Sequence, residues 1–285
     1  MSRWQQLWEQ FAAATGRRLH GGKAVAVGGG SINTTYVWQH PEQTLFVKFN
    51  RPERQAMFAA EANALRAIAK VQAIRVPLPL LWGVVEDASF LVLEYLPLTN
   101  AGDWWQMGVE LAQLHLQGSG DRYGWSENNT IGATPQMNPW SEDWGTFFRD
   151  ARLRYQFDLA QRRGGYFPKA EQLLAVIPEL LNHEPTPTLV HGDLWSGNVA
   201  FCPTGEPVIF DPASYYGDRE VDLAMSELFG GFPAAFYEGY NATYPLTAGY
   251  AQRKTIYNLY HILNHFNLFG GSYAAQAQSM IEQIL

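Results

Sequence analysis

Only one cysteine, Cys202, occurs among the 285 residues of the sequence. A single thiol cannot form an intramolecular disulfide, which favours a cytoplasmic protein, and we expect Cys202 to be an inert packing residue. No run reaches the roughly 18 consecutive apolar residues of a transmembrane helix, so none is predicted. Residues 1–15 also lack the basic start and the apolar stretch of a signal peptide.

Charged side chains are scarce as well. They make up 16% of the sequence, against roughly 25% in typical globular proteins, and 27 acidic residues outnumber 20 basic ones. A protein that binds nucleic acid needs the opposite balance, so nucleic acid is excluded as a partner. Apolar residues are abundant at 47%, which excludes a disordered chain.

The N-terminal residues predict an amphipathic helix. Trp4, Leu7, Trp8 and Phe11 recur at positions i, i+3, i+4 and i+7, which lie on one helical face. The polar positions carry Gln and Glu, whereas a membrane-surface helix needs Lys and Arg there. We therefore expect this helix to pack on its own domain, with no membrane partner. We also expect the protein to be a monomer.

The sequence changes character about a third of the way along. Runs of apolar and β-branched residues predict strands over residues 24–28, 34–39, 44–49, 80–85 and 90–95, with a helix over 52–70. From Asp103, which can cap a helix, the pattern becomes mostly helical. A strand-rich segment followed by a helix-rich one predicts an α+β fold. We place the boundary at a hinge, giving an N-terminal lobe of residues 1–98 and a C-terminal lobe of residues 99–285.

The helix-rich part also contains segments that are not predicted to be helical. Its glycine- and asparagine-rich residues 118–138 predict a loop. Helices are expected over 141–163 and 168–181, and most of the chain after residue 218 is expected to be helical. Short apolar runs that interrupt the helices lie at residues 188–190, 199–202 and 207–210.

The segment most informative about chemistry is residues 191–198, HGDLWSGN. It places Asn198 five residues after Asp193, which is the spacing of a kinase catalytic loop. Phosphoryl transfer needs a carboxylate to orient or deprotonate the attacking hydroxyl, and an amide oxygen to hold a metal ion. Asp193 suits the first role and Asn198 the second. Taken alone, the same residues would equally shape a turn.

A second candidate metal ligand, Asp211, follows eighteen residues after Asp193, at the end of an apolar run. A carboxylate at the end of a buried strand is well placed to bind a divalent cation. The residues that follow are Pro212 and Ala213, whereas protein kinases have Phe and Gly there. The alternative is that Asp211 begins a turn before a proline.

Lys48 interrupts an otherwise apolar strand, and Glu61 lies on the apolar stripe of the following helix. A carboxylate on a buried stripe needs a cationic partner, and Lys48 is the natural candidate. The pair resembles the strand lysine and helix glutamate that hold ATP phosphates in kinases. The alternative for Lys48 is edge protection of the strand.

Backbone groups supply the remaining predicted ATP contacts. Free amides in a glycine-rich turn can approach phosphate oxygens closely, although the same residues would suit an ordinary hairpin turn. Backbone groups at the end of the fifth strand could meet an adenine edge. The predicted ATP-binding residues of these two segments are Gly28, Gly29, Gly30, Ser31, Glu94, Tyr95 and Leu96.

Acidic residues also begin a helix after residue 217. Asp218, Glu220 and Asp222 can complement the N-terminal dipole of that helix and brace the catalytic loop. The alternative is that Asp218 and Glu220 contact a substrate, as Trp195 is placed to do within the catalytic loop. The histidines offer no metal-ligand spacing, so zinc is not expected.

Together these segments resemble the fructosamine kinase, or ketosamine kinase, family, which is related to aminoglycoside phosphotransferases. The matching stretches are residues 128–132 (NNTIG), 135–140 (PQMNPW), 191–198 (HGDLWSGN), 210–213 (FDPA), 217–225 (GDREVDLAM) and 268–271 (LFGG). The resemblance implies a two-lobed protein-kinase-like fold with an antiparallel N-terminal sheet and a helical C-terminal lobe. It also implies ATP-dependent phosphorylation of a sugar hydroxyl on a small or protein-bound ketosamine, leading to deglycation.

By matching position, the resemblance implies that Asp193 orients the hydroxyl, that Asn198 and Asp211 bind Mg²⁺, and that Lys48 and Glu61 hold ATP. The glycine turn has no cysteine, whereas some eukaryotic members carry one there. Two alternatives remain: a kinase for another small hydroxylated amine, such as an aminoglycoside or choline, and a nucleotide-binding pseudokinase. The acidic residues around the catalytic loop also predict a cationic acceptor.

Overall fold

A computed structural model of the chain describes residues 1–28 and 32–285. Its N-terminal lobe holds one sheet and two helices. The strands are β1 Lys23–Val27, β2 Thr34–Gln39, β3 Leu45–Asn50, β4 Pro79–Val85 and β5 Ala88–Glu94, and the helices are α1 Arg3–Thr15 and α2 Gln55–Val71. All neighbouring strands are antiparallel, in the order β1-β2-β3-β5-β4.

Alternation along β3 divides the two faces of this sheet. Leu45, Val47 and Phe49 pack under α1 on the outer face, where Trp8 joins the same cluster. Lys48 therefore points to the opposite face, towards α2. The predicted N-terminal helix is confirmed, and its start is fixed by a capping box in which the Ser2 side chain accepts from the third residue of the helix.

The C-terminal lobe is mostly helical, which confirms the α+β fold. Its helices are α3 Trp104–Gln117, α4 Trp144–Phe147, α5 Tyr155–Arg162, α6 Ala170–Leu180, α7 Glu220–Leu228, α8 Ala234–Thr243, α9 Tyr250–Phe269 and α10 Tyr273–Ile284. Phe148–Arg154 forms a π-helical turn between α4 and α5. The strands are β6 Asn129–Ile131, β7 Thr134–Gln136, β8 Thr188–Val190, β9 Val199–Phe201, β10 Pro207–Ile209 and β11 Tyr215–Gly217.

Close packing of α3 on α8 anchors this lobe. Two glycines permit it, because a β-carbon on Gly108 would lie 2.0 Å from the Phe236 carbonyl oxygen, and one on Gly239 would lie 2.1 Å from the Trp105 carbonyl oxygen. No helix among residues 1–28 and 32–285 is both long and apolar enough to cross a bilayer.

One local prediction was wrong, and two helices differ from the prediction at their first residues. Residues 118–138 hold the β6–β7 hairpin, whereas a loop was predicted. The helix expected over residues 141–163 begins at Trp144 and contains the π-helical turn. The helix expected from Pro52 is 3₁₀ over its first three residues, and α2 itself starts at Gln55.

Candidate active site

A cleft of about 1070 Å³ lies between the N-terminal sheet and the C-terminal lobe. The structure brings most of the predicted site residues together on its walls. Those lining it are Gly28, Lys48, Glu61, Glu94, Tyr95, Leu96, Asp193, Trp195, Asn198 and Asp211. The predicted ATP contacts at Gly29, Gly30 and Ser31 lie outside the described residues.

Lys48 is the buried cation at the base of the cleft. Its Nζ lies 2.6 Å from Glu61 Oε1 on α2, and it also donates to Asp211 Oδ1. Burial alone would lower the pKa of Lys48, but the carboxylates of Asp211 and Glu61 raise it above its usual value. Lys48 therefore stays protonated, as a group that neutralises phosphate charge must.

The catalytic loop follows β8 and is held by α7. Asp222, fully buried on α7, accepts hydrogen bonds from the backbone N–H groups of His191 (2.7 Å) and Gly192 (2.8 Å). Gly192 has a φ of +82°, and a β-carbon there would lie 2.3 Å from the Ala213 carbonyl oxygen. This position therefore requires glycine.

His191 links the catalytic loop to the segment that carries Asp211. Its Nε2 lies 2.9 Å from the Phe210 carbonyl oxygen, and its Nδ1 accepts from the backbone N–H of Asp193 at 3.2 Å. Burial lowers the pKa of His191, so the ring is neutral and Nε2 carries the donated proton. A neutral ring can thus hold both segments in register.

Asp193 and Asn198 face each other across this loop. The Asn198 amide nitrogen donates to the backbone oxygen of Asp193 (2.8 Å) and to its Oδ2 (3.1 Å). That orientation leaves the Asn198 amide oxygen free for another ligand. Burial raises the pKa of Asp193 to about 7, and the nearby carboxylate of Asp211 adds to the shift.

Asp211 follows β10 with a left-handed φ of +56°, and half of its side chain is exposed to the cleft. Its carboxylate and the Asn198 amide oxygen are hard oxygen donors of the type that Mg²⁺ prefers. The donor set therefore fits the magnesium ion that the resemblance implies, which Asp211 and Asn198 would hold.

The strand that ends at Glu94 offers backbone groups to the cleft. The Glu94 side chain accepts from Arg75 and from the backbone N–H of Leu78 (3.3 Å), so its carboxylate is already engaged. Among the described residues, the backbone N–H groups of Tyr95 and Leu96 donate to no backbone oxygen. They are available to hydrogen-bond a planar base.

Asp218 and Glu220 are not in the cleft, and their buried placement contradicts the predicted substrate contact. Asp218 is 1% exposed and its Oδ2 accepts from Tyr257 at 2.5 Å. Glu220 is 2% exposed and receives two hydrogen bonds of 2.7 Å from Arg253. Asp218, just before α7, and Glu220, at its start, both bind residues of α9. Their charges are engaged locally, so the predicted cationic acceptor no longer has their support.

Helix α9 contributes a wall of the cleft that was not predicted from the sequence. His261, Asn264, His265 and Leu268 line the cleft at helical spacing. Burial lowers the pKa of His261 to about 3 and also lowers that of His265, so both rings are neutral. The polar residues on an otherwise apolar helical stripe were the signal that could have revealed this wall.

The chain is similar to proteins of one enzyme family over nearly its whole length. The family model for fructosamine kinase matches residues 3–285. The chain is 53% identical to the "Probable ketoamine kinase" of Synechocystis sp. over 99% of this chain and 97% of that protein. It is 41% identical to the chloroplastic protein-ribulosamine 3-kinase of Arabidopsis thaliana, over 92% of this chain and 82% of that protein.

Solved structures show the same fold. The crystal structure of the "Putative fructosamine-3-kinase" of Haemophilus somnus superposes with a TM-score of 0.92 at 33% identity, covering 99% of this chain and 97% of that one. The choline kinase of Streptococcus pneumoniae shares the fold with a TM-score of 0.67 at 14% identity, covering 99% and 98%. The chain therefore belongs to the fructosamine kinase family.

Proposed function

We propose that the protein transfers the γ-phosphoryl group of ATP to a sugar hydroxyl of a ketosamine, with Mg²⁺ as the metal cofactor. The observation that carries the proposal is the meeting of Asp193, Asn198, Asp211 and the Lys48–Glu61 pair in one cleft. The names of the relatives, ketoamine kinase and protein-ribulosamine 3-kinase, support the same acceptor class.

ATP fits the side of the cleft formed by the sheet. The backbone N–H groups of Tyr95 and Leu96 are placed for the adenine edge, and Lys48 for the phosphates. Among the described residues that line the cleft, Lys48 is the only lysine or arginine. The hydrogen bond to Glu61 keeps the ammonium group of Lys48 directed into the cleft, at a fixed position for the phosphate oxygens.

The acceptor hydroxyl fits beside Asp193, whose carboxylate can orient the hydroxyl and take its proton. The hydroxyl oxygen forms a bond to the γ-phosphorus while the bond from that phosphorus to the β–γ bridging oxygen breaks, and ADP leaves. Asp211 and Asn198 would hold the magnesium ion, which would neutralise phosphate charge when bound. The raised pKa of Asp193 makes its carboxylate a stronger base than an exposed aspartate.

The acceptor side of the cleft suits an amine-bearing sugar. Trp195 and Phe229 form an edge-to-face pair there, and the imidazole of His265 packs against Phe229 at a centroid distance of 4.8 Å. The His265 ring is neutral, and aromatic faces attract a protonated amine. The carboxylates of Asp193 and Asp211 add attraction from the other side.

The test is a substrate panel with the purified chain, ATP and Mg²⁺. A fructosamine and a ribulosamine made from one small amine are compared with an aminoglycoside and with choline, and ADP and phosphorylated product are both measured. We expect phosphorylation of the ketosamines. Phosphorylation of choline or the aminoglycoside alone would replace this proposal with the corresponding kinase, and nucleotide binding without product would indicate a pseudokinase.

The matched control is Asp193→Asn, which keeps size but removes the base. We expect its turnover to fall about 10²–10⁴-fold while its affinity for ATP stays nearly unchanged, because a lost general base affects the chemical step. Near-normal turnover of the folded variant would remove Asp193 from the catalytic role.

A further inference from the structure

We propose that the β6–β7 hairpin is a positioning element for phosphoryl transfer, and that Gln136 is its central positioning residue. The inference rests on the proposed function, because it concerns the segment that carries Asp211. Neither Gln136 nor the opposing Asn129 carries charge, and both side chains are buried, Gln136 to 1% exposure. Their amide groups are directed at the backbone beyond Asp211.

The two amides satisfy consecutive carbonyl groups of that backbone. Gln136 Nε2 donates to the Ala213 carbonyl oxygen at 2.9 Å, and Asn129 Nδ2 donates to the Ser214 carbonyl oxygen at 2.8 Å. Ala213 and Ser214 are 2% and 0% exposed. A buried carbonyl that loses its donor is left without the hydrogen bond that water would otherwise supply, so the hairpin fixes where these residues lie.

Asp211 needs such support because its backbone conformation is uncommon. Its φ of +56° lies in the left-handed region, which non-glycine residues occupy only when the surroundings determine it. On one side, the backbone N–H of Ala213 donates to the His191 carbonyl oxygen at 2.9 Å. On the other side, the hairpin holds the next two carbonyl groups. The segment is therefore anchored to the catalytic loop and to the hairpin together.

The hairpin is itself held in place by hydrogen bonds that lead to α9 and to the π-helical turn. Gln136 Oε1 accepts from the Tyr260 hydroxyl at 2.8 Å, and Asn129 Oδ1 accepts from the Asn138 amide at 2.9 Å. Asn138 Oδ1 in turn accepts from Arg152 at 2.7 Å. Arg152 is fully buried in the π-helical turn. A buried hydrogen-bonded network of this kind restricts the hairpin to one geometry, although Arg152 Nε has no partner among the described residues.

The segment before the hairpin also reaches the helix that carries Glu61. On α2, two residues beyond Glu61, the Asn63 amide donates to Glu127 Oε1 at 2.7 Å, and Glu127 lies two residues before β6. The hairpin and the residues just before it therefore contact both the helix that carries Glu61 and the segment that carries Asp211. The carboxylates of Glu61 and Asp211 are the two partners of Lys48. We infer that these contacts fix the positions of Glu61 and Asp211 around Lys48, and with them the geometry of nucleotide binding.

The test replaces Gln136 with Met, which is similar in length but has no amide. In the metal-free protein, hydrogen exchange of peptides covering residues 211–215 should be faster than in the wild type. The gain in ATP affinity on adding Mg²⁺, measured by calorimetry, should fall about tenfold, the low end of the range for lost outer-shell partners. The turnover number should fall similarly, with the KM for the ketosamine unchanged.

Gln156→Met is the matched control, because Gln156 is 0% exposed and bonded to Asn267 at 2.7 Å but contacts no residue of the 211–215 segment through a hydrogen bond. It should lower the melting temperature while keeping the magnesium-dependent gain in ATP affinity. If both variants lose that gain equally, or if Gln136→Met keeps it, the positioning role is wrong.

Should Gln136→Met fail to fold, Tyr260→Phe decides, since it removes only the hydroxyl bonded to Gln136. The magnesium-dependent gain should then fall about threefold, in line with one lost hydrogen bond, and an unchanged gain overturns the inference. Failure of the proposed function looks different: the wild type would form no ADP with any ketosamine, while the binding and exchange differences between variants would persist.

Discussion

At the scale of single residues, Asp193 lies in a buried environment that disfavours its ionised form. Burial raises the pKa of its carboxyl to about 7, whereas an aspartate in the unfolded chain has a pKa of about 4. Between these values the folded protein binds more protons than the unfolded chain. The stability of the fold therefore falls as the pH rises through this window, and the cost stays constant above it.

Asp193→Asn should accordingly stabilise the metal-free protein. We expect its free energy of unfolding to exceed that of the wild type by about 2 kcal/mol at pH 8, less than the full pKa difference implies because the cleft admits water. At pH 4 the two proteins should be nearly equally stable. Urea unfolding at both pH values measures this, and a gain of the same size at pH 4 would show that the charge is not responsible.

The residues that could be predicted from the sequence were those whose neighbours along the chain already indicate a role. Lys48 stood out because its strand is apolar, and Glu61 because it lies on a buried helical stripe. Asp218 and Glu220 were misplaced as substrate contacts, since their partners are remote: Glu220 pairs with Arg253, 33 residues away. Gln136 lies in a stretch that resembles the family, but its role could not be predicted because its partner Ala213 is 77 residues away.

At the scale of secondary-structure elements, α7 acts as the support of the catalytic loop. The pKa of Asp222 lies below its usual value although burial opposes this, because hydrogen bonds from His115 and the loop backbone favour the charged form. The charged form can accept from both His191 and Gly192 at once, whereas an amide offers a single oxygen. This element therefore joins the stability of the lobe to the geometry of the loop.

Asp222→Asn should lower turnover about tenfold or more and destabilise the fold by about 2–4 kcal/mol, since a buried network loses an acceptor. Asp218→Asn is the control, because it alters a buried carboxylate of the same region that bonds to Tyr257 and not to the loop. Steady-state kinetics and urea unfolding of both variants give the comparison. Equal losses of turnover would mean that α7 supplies stability alone.

Element prediction succeeded where the pattern was long enough to repeat. The strands of the N-terminal sheet have five to seven residues, and runs of apolar and β-branched residues of that length revealed all five. β6, β7 and β11 have three residues each, too few for a period, and were missed. The π-helical turn was also missed, because the periodicity of its sequence does not differ enough from that of an α-helix.

At the scale of the whole molecule, the net charge of −7 is less informative than the local distribution of charge. The sequence suggested a field of four acids around the acceptor, but Asp218, Glu220 and Asp222 are buried and engaged by other residues. Of the four, Asp193 lines the cleft, and Asp211 lies on the same wall. The attraction for a cationic acceptor is therefore short-ranged and depends on close contact.

This arrangement predicts that the protonated amine of a ketosamine contributes directly to kcat/KM. Acylating the amine removes its charge and should lower kcat/KM about 5- to 20-fold, which corresponds to roughly 1–2 kcal/mol from close carboxylates and aromatic faces. The loss should be larger at low salt, where screening of the cleft carboxylates is weakest.

The control for this prediction is the N-methylated ketosamine, which adds bulk at the same nitrogen but keeps its charge. Its kcat/KM should stay within about threefold of the parent compound, because the open cleft can accept one methyl group more easily than it can forgo a charge. If the acylated and methylated compounds lose efficiency equally, bulk and not charge determines acceptance at the nitrogen. The aromatic wall of Trp195 and Phe229 would then act by shape alone.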